Sequence, residues 1–137
     1  MRDVQKFTGC LASLSRFISR LGEKVLPLHQ LMKKTTCFEW NDKADEAFLL
    51  LKKMLTTPHV LAAPATKEPM LLYIAATSRV VSTVIVVERP EDSKAQLVQR
   101  PVYYLSEVLT SSEHNYPHDQ KMCYDMYFAA KKPKQYF

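Results

Sequence analysis

The hydrophobic pattern of this chain changes period once, and that switch does most to limit its fold. Up to residue 57 apolar side chains recur at three- and four-residue steps; from residue 70 they come in strand-length runs of Val, Ile, Leu and Tyr. The first pattern lines one face of a helix, and the second suits a pleated, half-buried sheet. Between them "PHVLAAPATKEP", residues 58–69, reads as a linker rich in Pro and Ala. The expected order is three helices and then β-β-β-α, an α+β chain with a helical unit at 1–57 and a second unit at 70–137.

Within the helical part, Val4, Phe7, Leu11, Leu14, Phe17, Ile18 and Leu21 predict one amphipathic helix, with Gly22 as its stop. "PLHQLMKK" predicts a short second helix with Pro27 in its first turn and Leu28, Leu31 and Met32 facing inward. Asn41 is placed to cap a third helix, because its side-chain oxygen can accept from free backbone donors, and Asp42, Asp45 and Glu46 suit the positive end of that helix. Its inward stripe is Ala44, Ala47, Phe48, Leu51 and Leu55, and Thr56, Thr57 and Pro58 end it. Strands are expected over 70–77, 80–88 and 97–105, joined by "TSR" and "RPEDSKAQ" as an antiparallel meander. A last helix runs from His118 to Lys131 with Met122, Met126, Phe128 and Ala129 on its apolar face, and Pro133 breaks it.

Composition narrows the function classes. A chain of 137 residues with 47% hydrophobic content supports one modest core. No apolar run approaches the roughly 18 to 20 residues of a membrane span. The start "MRDVQKFTGC" lacks the layout of a signal peptide, so an intracellular location and no membrane partner are expected, with nucleus or cytoplasm left open. Cys10, Cys37 and Cys123 are odd in number and far apart, which points to reduced thiols and away from a disulfide framework or a zinc site. Both glycines precede the sheet region, so no glycine-rich phosphate loop exists. His114 and His118 are four apart, but Pro117 lies between them near a helix start, and they read as loop histidines. Cys123 and Ser106 lack a local signature of a nucleophile.

The net charge of +5 sits entirely in the first quarter. Residues 1–34 carry seven Lys or Arg against Asp3 and Glu23, and the remainder sums to zero. Such asymmetry suggests a polyanion-facing preface on a neutral body, although solvated faces of surface helices would look the same.

The landmarks in order are "FTGCLASLSRFISRLGEKVLPLHQLMKK", then "FEWNDKADEAFLLLKKMLTTPHVLAAPATKEPMLLYIAATS", then "PVYYLSEVLTSSEHNYPHDQKMCYDMYFAAKKPKQYF". This string resembles the pol polyprotein of gypsy-type LTR retrotransposons, most like plant elements, from the end of reverse transcriptase into its RNase H domain. Phe38, Trp40, Ala47, Phe48, Leu51, Lys52, Leu55, Pro58, Val60, Leu61 and Pro64 fall on the family pattern. The resemblance implies a thumb or connection segment followed by a truncated RNase H-like β-β-β-α unit. It also implies a first strand that normally lies mid-sheet, so residues 70–77 are expected to form an exposed hydrophobic edge.

In that family, acidic residues hold two magnesium ions and cut the RNA strand of an RNA/DNA hybrid; two cations roughly 4 Å apart stabilise both attacking and leaving oxygens. The family's first aspartate position falls here on Ala75, and its helical glutamate on Met122, with Gln120 at the preceding glutamate. The family glycines of the second strand are replaced by Val80 and Ser82, and the remaining acids would lie beyond Phe137. No catalytic residue, no magnesium pair and no cofactor are therefore expected. Asp119 and Asp125, three residues either side of Met122 and on roughly one helical face, are weak substitutes as metal ligands. The Tyr-x-Asp-Asp of a polymerase palm does not occur.

By the same resemblance the basic preface lies along a nucleic-acid duplex or hybrid, beside the rest of a reverse transcriptase. Arg16, Arg20, Lys24, Lys33 and Lys34 are the candidate phosphate contacts. Two alternatives stand beside this inactive, structural or duplex-contacting reading. One is a hybrid-cutting RNase H whose missing carboxylates come from elsewhere; the other is a relic of a decayed element.

Overall fold

The strand-length runs pair as their spacing predicts. In the computed structural model, which describes residues 1–33, 37–57 and 59–133, β1 (Met70–Ala76), β2 (Val80–Arg89) and β3 (Val98–Val108) form one antiparallel sheet in the order β1-β2-β3. Thr77 closes the first turn: its hydroxyl accepts from Val80 N at 3.0 Å and its N–H donates to Val80 O at 2.8 Å. An irregularity between Ile85 and Val86 shifts the β2–β3 register. β1 is an edge strand as expected, and Leu71, Leu72 and Tyr73 are exposed along it.

Asn41 caps α3 (Asp42–Thr56) as its sequence predicts, its side-chain oxygen accepting from Ala44 N at 2.9 Å. Ala44, Ala47 and Leu51 are buried, whereas Leu55 lies at the exposed end of the stripe. They join Leu11, Val25 and Leu28 in a helical core. Each fully buried leucine there contributes about 1.5–3 kcal/mol.

The first two helices depart from expectation. α1 (Arg2–Ser13) stops nine residues before Gly22; a 3-10 turn (Ser15–Phe17), extended Ile18 and left-handed Arg20 (φ 52°) follow, and α2 covers Leu21–Leu31. The break lets Ile18 and Leu21 both turn inward, while Leu14, which a continuous stripe would bury, is exposed. Gly22 is no stop but lies inside α2. A Cβ there would meet Ser106 Oγ and Val80 Cγ1 at 2.8 Å each, so the missing side chain lets α2 lie against β2 and β3. Pro27 stands mid-helix, not in the first turn.

The linker region is tied to the sheet. Ala62 N donates to Pro101 O at 2.7 Å, and Arg89 donates to both carboxylate oxygens of Glu68 at 2.8 Å and to Ala63 O at 2.7 Å. After β3 a short helix, α4 (Ser111–His114), opens with a capping box between Thr110 and Glu113, and His114 ends it.

The last helix, α5 (His118–Lys131), has the expected bounds but buries another face. Lys121, Asp125 and Ala129 point inward, whereas Met126 is exposed and Met122 only partly covered. Among the described residues no helix is long and apolar enough to cross a membrane.

Candidate nucleic-acid interface

Directly paired residues in a sheet share a face. Ala75 pairs with Ser82 and Tyr73 with Val84; Ser82 in turn pairs with Ser106, and Val84 with Tyr104. These six residues lie on the side that α2 approaches, where Gly22 N donates to Ser106 Oγ at 2.9 Å and the Ser82 and Ser106 hydroxyls are 2.9 Å apart. A hollow of about 230 Å³ opens beside Ala75, between Tyr73, Tyr104 and Arg20. The charged group at its rim is therefore a guanidinium. Arg20 is held in its left-handed conformation next to an ion pair with Glu23 at 2.6 Å.

The opposite face carries the second cluster. The Thr83 hydroxyl donates to Asp125 Oδ2 at 2.6 Å, and Asp125 is 1% exposed with no partner for Oδ1. Burial pushes the Asp125 carboxyl above its ordinary range, and the Thr83 bond offsets only part of that. One turn earlier Lys121 is also buried, and its Nζ donates to Ser78 O at 3.1 Å. Asp119 is exposed near the start of α5. The structure thus separates Asp119 from Asp125 onto different faces, because six residues along a helix leave two side chains well apart in angle. Among the described residues no three His, Cys, Asp or Glu side chains gather as a cation site.

Of the basic residues, Arg16, Arg20 and Lys24 cluster around the 3-10 turn and the start of α2. The exposed Arg16 guanidinium stacks 4.7 Å from the Phe17 ring centre. Lys24 Nζ donates to the Ser19 carbonyl and, at 3.2 Å, to the Ser19 hydroxyl. Its pKa is lowered by partial burial and then by neighbouring Arg20. Lys33 lies exposed past the far end of α2. Lys34 lies outside the described residues.

Sequence reasoning missed a second basic grouping. His29 from α2, Lys33 just past its end, Arg79 from the β1–β2 turn and His114 from α4 line one cleft. No local pattern marks it, since its members come from three separate parts of the chain.

Residues 40–137 match the family described as RNase H-like domain found in reverse transcriptase. A Pol polyprotein of feline endogenous virus ECE1 is 29% identical over 116 residues, 85% of this chain and 10% of that protein. An uncharacterized mitochondrial protein of Arabidopsis thaliana is 36% identical over 69 residues, 50% of this chain and 43% of that one. The foamy viral protease-reverse transcriptase has the same fold. Its structure in complex with dsDNA superposes with a TM-score of 0.73 at 17% identity, over 98% of this chain and 27% of that chain. Its structure in complex with RNA/DNA hybrid gives 0.70 at 17% identity, over 96% of this chain and 17% of the other. The chain spans a tenth of the length of the feline viral relative.

Proposed function

The chain belongs to the family of RNase H-like domains found in reverse transcriptase, and on that footing we propose that it is a segment of a gypsy-type, plant-like retrotransposon polyprotein whose RNase H-like part does not cut RNA. Its role is structural and duplex-contacting, with residues 1–57 as the helical preface and 70–137 as the inactive unit. One observation carries the reading: where the resemblance puts the family's first acid, β1 carries Ala75, beside a hollow lined by Tyr73, Tyr104 and Arg20.

Magnesium takes hard oxygen ligands, usually carboxylates. Ala75 and Met122 offer none, and Asp125 is sealed against Thr83. The residues present do not fit a magnesium pair, so no hydrolytic step is derived. What the chain retains is positive charge along the preface: exposed Arg16, Arg20 and Lys33 and half-buried Lys24, with Lys34 proposed alongside them. Such side chains neutralise phosphates without reading sequence. The foamy viral relatives, solved with dsDNA and with RNA/DNA hybrid, support a duplex or hybrid as the partner.

The test is a labelled RNA/DNA hybrid incubated with the folded chain and magnesium across a salt series. Binding that weakens steeply with salt, with the hybrid left intact, is expected. Magnesium-dependent cleavage overturns the inactive reading in favour of an RNase H. Absence of any binding removes the duplex-contacting role.

A further inference from the structure

The second basic grouping is a built cleft. It measures about 440 Å³ and opens between the C-terminal half of α2 and the junction of β3 with α4, against the β1–β2 turn. His29 and Gln30 reach it from α2, Lys33 from just past that helix, Arg79 from the turn, and Ser111 and His114 from α4. We propose that this cleft is a phosphate-binding site that seats the sugar-phosphate backbone of a nucleic-acid duplex; the inference rests on the duplex-contacting reading above and locates where the backbone is held.

Three properties argue for an anion. First, the donors converge from separate elements that the fold fixes independently. Leu109 N donates to Arg79 O at 2.8 Å, and Arg79 N donates to the Thr77 hydroxyl at 3.4 Å, so the turn is anchored to the end of β3. Second, three of the lining side chains are uncommitted: among the described residues those of Arg79, His29 and His114 make no hydrogen bond or ion pair. An exposed arginine in that state offers its planar fork to a phosphate. Third, among the described residues no carboxylate lines the cleft. The nearest acid on α4, Glu113, is tied to Thr110, whose N–H and hydroxyl both donate to Glu113 Oε2 at 2.8 Å. Partial burial lowers the His29 pKa, which favours the neutral ring as an N–H donor, while Arg79 and Lys33 carry the charge.

The volume suits this ligand class. A free phosphate fills a small part of such a cleft, whereas a phosphodiester with its flanking sugars occupies it as an organic ligand does. Arg16, Arg20 and Lys24 lie toward the opposite end of α2, so the two clusters give the chain two points of contact along one backbone.

The experiment compares two charge reversals in the full chain, Arg79→Glu in the cleft and Lys52→Glu on the exposed face of α3, by anisotropy of a labelled hybrid from about 50 to about 200 mM salt. Both variants change net charge equally, and circular dichroism verifies that they fold. Arg79→Glu is expected to weaken binding at least about tenfold more than Lys52→Glu and to lower the salt slope by about one. His114→Ala, an exposed change on α4, is expected to weaken binding a few fold, and it carries the test if Arg79→Glu misfolds. Wild-type binding with equal losses in the two reversals and none in His114→Ala overturns the cleft and leaves the broader reading intact. No wild-type binding at any salt overturns both.

Discussion

The Thr83 hydroxyl donates to Asp125 Oδ2 at 2.6 Å, and that bond joins the middle of β2 to the buried face of α5. Among the described residues Asp125 has no other partner for its buried carboxylate. Thr83→Val keeps the shape of the side chain and removes the donor. The expected cost is about 1–3 kcal/mol, the penalty for an unsatisfied buried polar group, read as a lower urea midpoint by circular dichroism.

Asp125 also sets a pH dependence. Its carboxyl is raised above the ordinary 3.8 by burial, so from there up to its folded pKa the native state holds more protons than the unfolded chain. Stability is therefore fully present below about 3.8, falls as pH rises through the folded value, and is level above it. Glu107, on β3, is raised by burial as well and adds a slope of the same sign, while Lys121 lies one turn away on α5. Asp125→Asn removes one titrating group, and its melting temperature should fall less than that of the wild type over this window. Equal slopes would show that Asp125 does not titrate there.

Gly22→Ala tests the approach of α2 to the sheet. Alanine favours a helix over glycine by about 1 kcal/mol. Its Cβ would, however, meet Ser106 Oγ and buried Val80 Cγ1 at 2.8 Å. Overpacking of this kind costs about 1–3 kcal/mol, so the net expectation is destabilisation, measured by urea unfolding. A more stable variant would mean that α2 does not lie this close.

At the other end of the sheet the Arg89 side chain, and then Ala65 N, hold the Glu68 carboxyl down to about 2 from 4.5. The folded pKa is depressed, so this contribution is present above about 4.5 and is lost as pH falls toward 2. Glu68→Gln should flatten the acid limb of a plot of melting temperature against pH over that interval. Its stability near neutral pH should be lower, because the paired charge is gone.

The β1 edge leaves Leu71, Leu72 and Tyr73 exposed on a strand with one free side. Residues 69–78 carry no charge, so nothing along this edge opposes pairing with another strand. Leu71→Lys is expected to raise the concentration at which light scattering first detects association, with little effect on unfolding. An unchanged onset would place association elsewhere on the surface.

The parts of the fold that the sequence disclosed were those with local causes. Asn41 accepts from a donor three residues away, so its cap was legible, as were the strands, whose apolar runs end at turn residues. Thr110 and Glu113 form a capping box whose spacing was also visible, though it went unread. The single long first helix failed because Ile18 and Leu21 face inward through a turn that no local pattern requires. On α5 the methionines looked like the inward face, yet Lys121 and Asp125 are buried because Ser78 O and Thr83, more than forty residues earlier, satisfy them.

The sequence by itself determined the order of helices and strands, the antiparallel meander, and the absence of a carboxylate at Ala75 and Met122, because these depend on residue type and short-range spacing. Tertiary structure alone decided three things: where α2 starts, which face of α5 is buried, and that Arg79, His29 and His114 meet at one cleft. Each depends on side chains brought together from distant positions, and a close approach such as Gly22 against Ser106 exists only once the helix and the sheet have packed.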